Sequence, residues 1–161
     1  MKCYILVGGR SRRLGRSKVD LFFDRVLAAA QPVFDEVLAV QRHGGESLSI
    51  PTIFEEPHEH DGAIFGIVSA LRHANGRCFI LAVDYPLITS EVLRLLRDDG
   101  RVADGQALCA VWDPALLPDI EQRIAAGRRD LHGLWEQGII GVGAPLTNVN
   151  TLEDLEGIDG S

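Results

Sequence analysis

Leu6-Val7-Gly8-Gly9-Arg10-Ser11-Arg12-Arg13-Leu14-Gly15-Arg16-Ser17-Lys18 carries an apolar strand through a glycine turn toward a segment of helical periodicity. Arg10, Arg12, Arg13, Arg16 and Lys18 concentrate positive charge there, in a chain whose formal net charge is -7. That concentration predicts a polyanionic ligand bound at one place. Gly8 and Gly9 let backbone N–H groups approach an anion with no Cβ in the way, so the stretch reads as a phosphate cradle. Arg10, Ser11 and Arg13 are its candidate phosphate-loop side chains. Lys is rare in this Arg-rich chain, occurring only at Lys2 and Lys18. A compact ammonium beside a glycine turn suits a crowded phosphate; the plain alternative is a solvated helix residue.

Outward from this βα junction, short apolar, β-branched runs recur at 3–7, 37–41, 52–54, 78–83, 107–112 and 139–142. Segments of helical spacing separate them. The first places Val19, Phe22, Phe23, Val26, Leu27 and Ala30 near one face and stops at Gln31-Pro32. Others are predicted at 64–73, at 90–97 after a Thr89-Ser90 capping signal, and at 115–126 after Asp113-Pro114. Strands that are nearly continuous in apolar character are buried on both faces. The expected fold is therefore a three-layer α/β domain with a mostly parallel sheet. Ligands of such a sheet bind beyond the carboxyl ends of the strands, where strand order reverses.

The 161 residues fit one domain over 1–161, with 155–161 expected as a loose tail. Apolar and charged fractions of 46% and 24% are ordinary for a globular protein. A pI near 5.1 argues against nucleic-acid or membrane-surface binding, since both surfaces are anionic. Cys3, Cys78 and Cys109 lie in apolar runs without Cys-x-x-Cys spacing and read as reduced core thiols. With no cleavable signal and no membrane-length apolar run, the expectation is a soluble cytoplasmic protein.

The spacing of residues 8–18 fits neither a P-loop nor a dinucleotide fingerprint. Asp84 ends the run Ile80-Leu81-Ala82-Val83-Asp84-Tyr85-Pro86 and is expected at the ligand crevice. It reads either as a Mg²⁺ ligand, sharing the metal with substrate phosphates, or as a turn residue. Cations and amides that spread phosphate charge leave a phosphorus open to attack, which is nucleotidyl or phosphoryl transfer by electrostatic positioning. Glu55-Glu56-Pro57-His58-Glu59-His60-Asp61 resembles a metal site superficially, but its spacing is poor and a solvated loop is expected. Arg128-Arg129 reads as a helix-end charge pair, or as a second anionic contact after Gly127.

Several segments together resemble the molybdenum cofactor guanylyltransferases, within the wider nucleotidyltransferases of Rossmann-like fold. The opening Leu6 to Lys18 is similar to the family's Leu-Ala-Gly-Gly-x-Ser-x-Arg-Met-Gly-x-Asp-Lys. Gly62-Ala63-Ile64-Phe65-Gly66-Ile67 is similar to Gly-Pro-Leu-Ala-Gly-Ile, and Val83-Asp84-Tyr85-Pro86-Leu87 to Cys-Asp-Met-Pro-Phe. Gly127-Arg128-Arg129 resembles the family's Gly-x-Arg step. Asn148-Val149-Asn150-Thr151-Leu152-Glu153-Asp154-Leu155 resembles Asn-Val-Asn-Thr-Pro-Glu-Asp-Leu.

The resemblance implies transfer of GMP from GTP to molybdopterin or Mo-molybdopterin, with release of pyrophosphate. It implies GTP binding by Leu6, Val7, Gly8, Gly9, Lys18 and Asp84, with Lys18 and Asp84 catalytic and Asp84 on Mg²⁺. Glu56 falls at the family's nucleotide-site aspartate, and Asn148 and Asn150 on the acceptor side. Other cofactor-biosynthesis proteins are the implied partners, and a monomer or weak oligomer is expected. The family's Gly-Lys-Pro-Leu hairpin after the lysine is missing, Gln41 stands where an asparagine is common, and residues 104–107 lack a His-Pro. A cytidylyltransferase or other nucleotidyltransferase of the same fold, and a non-catalytic nucleotide-binding module, are the alternatives.

Overall fold

The computed structural model describes residues 1–7, 18–45, 47–58, 62–99, 108–131 and 134, with the backbone alone at 18–21 and 99. The chain alternates strand and helix: β1 (Lys2–Leu6), α1 (Lys18–Ala30), β2 (Glu36–Gln41), β3 (Thr52–Phe54), α2 (Ala63–Ala74), β4 (Cys78–Ala82), α3 (Ser90–Asp99), β5 (Cys109–Trp112) and α4 (Leu117–Ala125). The expected strand at 139–142 and the tail at 155–161 lie outside the described residues.

The strands form one sheet in the order β3-β2-β1-β4-β5. β1 pairs in parallel with both β2 and β4, and β2 with β3, whereas β5 runs antiparallel to β4. Strand alternation sends Cys3, Ile5, Val7, Phe79 and Leu81 into one apolar layer with Phe22, Val26, Leu93 and Leu96. Tyr4, Leu6, Leu38, Val40 and Ile80 enter the opposite layer with Ile64, Ile67, Leu71 and Ile120. Thus α1 and α3 cover one face and α2 and α4 the other, the three-layer arrangement expected from the apolar strands.

Helix ends follow local chemistry. α1 begins at Lys18 and runs unbroken to Ala30, through the place where the family's hairpin is missing. Thr89 Oγ1 accepts from the Val92 N–H at 3.3 Å and caps α3. α2 starts after Gly62, whose φ of 145° favours glycine, and ends at Asn75 in the left-handed region. The helix expected at 115–126 is instead split into a 3-10 turn, Pro114–Leu116, and α4. A second proline, Pro118, cannot donate a backbone hydrogen bond and is tolerated because it falls in the first turn of α4.

Asp113 caps that turn. It accepts from the Ala115 N–H at 2.9 Å and from Arg77 Nε at 3.1 Å, and these two contacts lower its carboxyl pKa. Asp113→Ala is expected to destabilise the fold by about 1 kcal/mol, read from urea unfolding at pH 7. Because the folded pKa is depressed, this contribution is complete above the unfolded value near about 3.9. It fades as pH falls through the folded one, so wild type and variant should converge in acid. A constant gap down to acid denaturation would count against the cap.

The three cysteines are free and buried, in line with their reading as core thiols. Desolvation pushes the Cys78 thiol up to about 12, which suppresses its reactive thiolate.

Candidate active site

Strand order reverses at β1. From there the chain steps outward through β2 and β3, then returns to lay β4 along the other edge of β1. The crevice at that switch point is bounded by the carboxyl ends of β1 and β4, the place where open α/β sheets bind ligands. Leu6 pairs with Ala82, and the Val83 N–H donates to the Leu6 carbonyl at 3.2 Å. On the other side the Val7 N–H donates to the Val40 carbonyl at 3.0 Å, and the Glu55 N–H to the Gln41 carbonyl at 3.0 Å. These bonds fix Val7, Gln41, Glu55 and Val83 at one edge of the sheet, with Asp84 directly following.

Leu6 and Val7 are buried, while Asp84 is partly exposed. The fold therefore brings the start of the glycine loop and Asp84 to the same crevice. Lys18 is the first residue of α1, so the loop leads from the sheet edge to a helix start, a natural anion-binding position. Gly8, Gly9, Arg10, Ser11 and Arg13 lie outside the described residues, as do the Lys18 side chain and Asn148 and Asn150. No group of three or more His, Cys, Asp or Glu that could hold a metal occurs among the described residues. A single carboxylate at Asp84 still suits Mg²⁺, which takes most of its oxygens from water and substrate phosphates.

The two glutamates after β3 have different surroundings. Glu56 is exposed and meets Arg72 Nη1 at 2.6 Å, while Arg72 Nη2 reaches Glu121 on α4 at 2.8 Å. Glu55 is buried: its Oε2 accepts from His58 Nε2 at 3.1 Å and faces Arg42 Nε at 3.8 Å. The His58 ring stacks on Phe65 with centroids 3.9 Å apart, and Arg42 Nη2 donates to the His58 carbonyl at 2.9 Å. The solvated loop expected over 55–61 is thus corrected at Glu55 and His58. Residues 59–61 lie outside the described residues.

Gly66 on α2 makes this packing possible. A Cβ there would fall 3.1 Å from Leu6 Cδ2 and 3.2 Å from Glu55 Oε1. Sequence reasoning did not anticipate that Glu55, His58 and Gly66 pack together beside the end of β1, although Gly66 belongs to the quoted motif Gly62–Ile67. The usable signal was a glycine inside an apolar helix facing the segment that follows a short strand.

Arg128, read with Arg129 as a helix-end pair, lies beyond the end of α4 and forms an ion pair instead, with Nη2 3.0 Å from Asp130 Oδ2. Its contacts with Arg128 hold the Asp130 carboxyl below its ordinary pKa. Arg129 Cβ lies 3.7 Å from where a Gly62 Cβ would be, so the turn after α4 stands beside the start of α2.

The sheet order and the crevice at its switch point are those of a ligand-binding α/β domain of the nucleotide-binding kind. The chain belongs to the MobA-like NTP transferase domain family, whose pattern matches residues 3–131. It is 33% identical over 179 residues to a protein from Aquifex aeolicus named probable molybdenum cofactor guanylyltransferase, covering 97% of this chain and 89% of that one. It is also similar to the crystal structure of molybdopterin-guanine dinucleotide biosynthesis protein A from Archaeoglobus fulgidus. That match has a TM-score of 0.77 and 26% identity, and covers 99% of this chain and 97% of that one. A cytidylyltransferase from Thermus thermophilus shares the fold at 16% identity, with a TM-score of 0.67 over 99% and 97% of the two chains.

Proposed function

We propose that this protein transfers GMP from GTP to molybdopterin or its molybdenum-loaded form and releases pyrophosphate. The observation that carries the reading is the convergence of the glycine-loop entrance at Leu6-Val7 and the Asp84 carboxylate at the switch point of a family-typical sheet. In the reaction an oxygen of the acceptor's phosphate forms a bond to the α-phosphorus of GTP. The bond from that phosphorus to the bridging oxygen breaks, and pyrophosphate leaves. Backbone amides of Gly8 and Gly9, with Lys18, Arg10, Ser11 and Arg13, would bind and orient the triphosphate. Asp84 would hold Mg²⁺, which when bound neutralises phosphate charge. Glu56, which by the resemblance falls at the family's aspartate, would stand on the rim, and Asn148 and Asn150 would face the acceptor.

No helix among the described residues is long and apolar enough to cross a membrane. The buried thiols fit a reducing, cytoplasmic setting.

Calorimetry with GTP and Mg²⁺, followed by a pyrophosphate-release assay with acceptor, tests the reading. Use of CTP in place of GTP would move the protein to cytidylyl transfer, and GTP binding without turnover would make it a binding module. Lys18→Ala is expected to weaken GTP binding by roughly tenfold or more, the scale of one charge-assisted hydrogen bond. Unchanged affinity would remove Lys18 from the phosphate site.

A further inference from the structure

His58 stands in a cluster whose geometry fixes its protonation state. Its side chain is 12% exposed, and its ring lies stacked on Phe65 of α2 between two groups of opposite charge. Arg42 Nη2, just beyond β2, is 3.3 Å from Nδ1 and donates to the His58 carbonyl at 2.9 Å. A guanidinium only donates, so Nδ1 accepts and carries no proton. Nε2, 3.1 Å from Glu55 Oε2, therefore carries one and donates it to the carboxylate. The neutral Nε2–H tautomer satisfies both neighbours at once.

Protonation of Nδ1 breaks this arrangement at one defined point. An imidazolium turns an N–H toward the Arg42 N–H, and two donors with like charge then stand in contact. Glu55 accepts from Nε2 in either state, so its bond is kept. Among the described residues Arg42 and Glu55 are the charged groups that touch the ring, and α2 offers it the uncharged Phe65. Arg42 is 38% exposed and 3.8 Å from the oxygen the ring already holds, so it is the partner that turns to water. It takes with it the bond to the His58 carbonyl, because one nitrogen makes both contacts. That bond ties the turn after β2 to the segment after β3.

We propose that His58 is a pH-sensitive latch on the wall of the crevice, closed by Arg42 while the imidazole is neutral and released when it is protonated. The wall concerned adjoins β1: Leu6 Cδ2 and Glu55 Oε1 lie 3.1 and 3.2 Å from the point where a Gly66 Cβ would sit. The latch holds at the alkaline end and weakens as falling pH charges the ring. The accompanying loss of GTP affinity rests on the guanylyltransferase reading; the latch itself does not.

Two measurements therefore run between about pH 8 and about pH 5, the range in which histidine commonly changes charge. Heteronuclear NMR of the free full-length protein follows the His58 ring and the Arg42 side chain, with His58→Gln assigning the ring signals. Calorimetry follows GTP with Mg²⁺ on wild type, His58→Gln and Arg42→Met, and thermal unfolding reports that each is folded. Glutamine keeps a donor for Glu55 but cannot charge. All three proteins meet the same titrating nucleotide, so a difference between their profiles belongs to the latch.

The ring should be the neutral Nε2–H tautomer at the alkaline end, and its protonation should coincide with a shift of the Arg42 signals. On acidification wild type should lose roughly tenfold more GTP affinity than either variant, the scale of one hydrogen bond to a charged group. A ring protonated on Nδ1 or already charged at the alkaline end overturns the latch, as does protonation that leaves the Arg42 signals unmoved. Parallel affinity profiles for wild type and either folded variant overturn it too. If wild type binds no GTP at any pH while His58 and Arg42 shift together, the guanylyltransferase reading falls and the latch stands.

Discussion

Asp84→Ala is expected to lower pyrophosphate release by roughly a hundredfold or more while the protein stays folded. Asp84 lies in the turn one residue beyond β4, after Val83, and β4 is held on both edges, by β1 in parallel and β5 antiparallel. The carboxylate is therefore carried on a short turn anchored to a strand held on both edges, which suits a group that must meet phosphate oxygens at fixed distance. It is partly exposed, so its removal leaves no cavity in the core, and the loss of stability should stay within about 1 kcal/mol. Asp84→Asn separates charge from shape: the amide keeps the side-chain volume but loses the anion a divalent cation requires. Both variants should lose turnover and retain the unfolding transition of wild type. If either turns over GTP at the wild-type rate with saturating Mg²⁺, Asp84 does not serve the metal.

The sheet was largely legible because its inner strands carry apolar residues on both faces. Cys78, Phe79, Ile80 and Leu81 are all buried, and a run of that kind has few places to go except between two helical layers. The short β3, at the sheet edge, was found at its observed bounds from its apolar, β-branched run. What the sequence could not reveal was strand direction. β5 reads like any other apolar strand, yet it runs antiparallel to β4.

The position of Asp84 was legible, since a carboxylate after a continuous apolar run falls at the sheet's edge, whereas the glycine loop lies outside the described residues. Glu55 and Glu56 were not distinguishable by the same logic. They are adjacent and identical, and their fates differ because Arg42, His58 and Gly66 surround one while Arg72 and Glu121 hold the other. Arg42 reaches this cluster from beyond β2 and Gly66 from α2, so the burial of Glu55 is a product of tertiary packing.

Gly66→Val should destabilise the protein by about 2 kcal/mol and weaken GTP binding together. A glycine within a helix ordinarily costs stability relative to alanine, by roughly 1 kcal/mol, so its presence in α2 calls for a packing reason. That reason is the close approach of three elements: Leu6 Cδ2 at 3.1 Å, Glu55 Oε1 at 3.2 Å and Val40 Cγ1 at 3.7 Å from the position of a Cβ. Alanine would gain helix propensity and lose it again to a few tenths of an ångström of displacement, giving little net change in the unfolding midpoint. Valine cannot be accommodated in this way. Its branched methyls must displace both the end of β1 and the Glu55 carboxylate, and a β-branched residue gains less as a helix former. Urea unfolding should show a lower midpoint with an unchanged slope, meaning that stability fell while the surface exposed on unfolding did not change. Calorimetry should show a larger loss of GTP affinity for valine than for alanine, because the displacement falls on the side chains that shape the crevice. A valine variant as stable as wild type, with full GTP affinity, would mean that α2 can shift away from β1 without cost, and that the contact of Gly66 with Leu6 and Glu55 does not set the pocket.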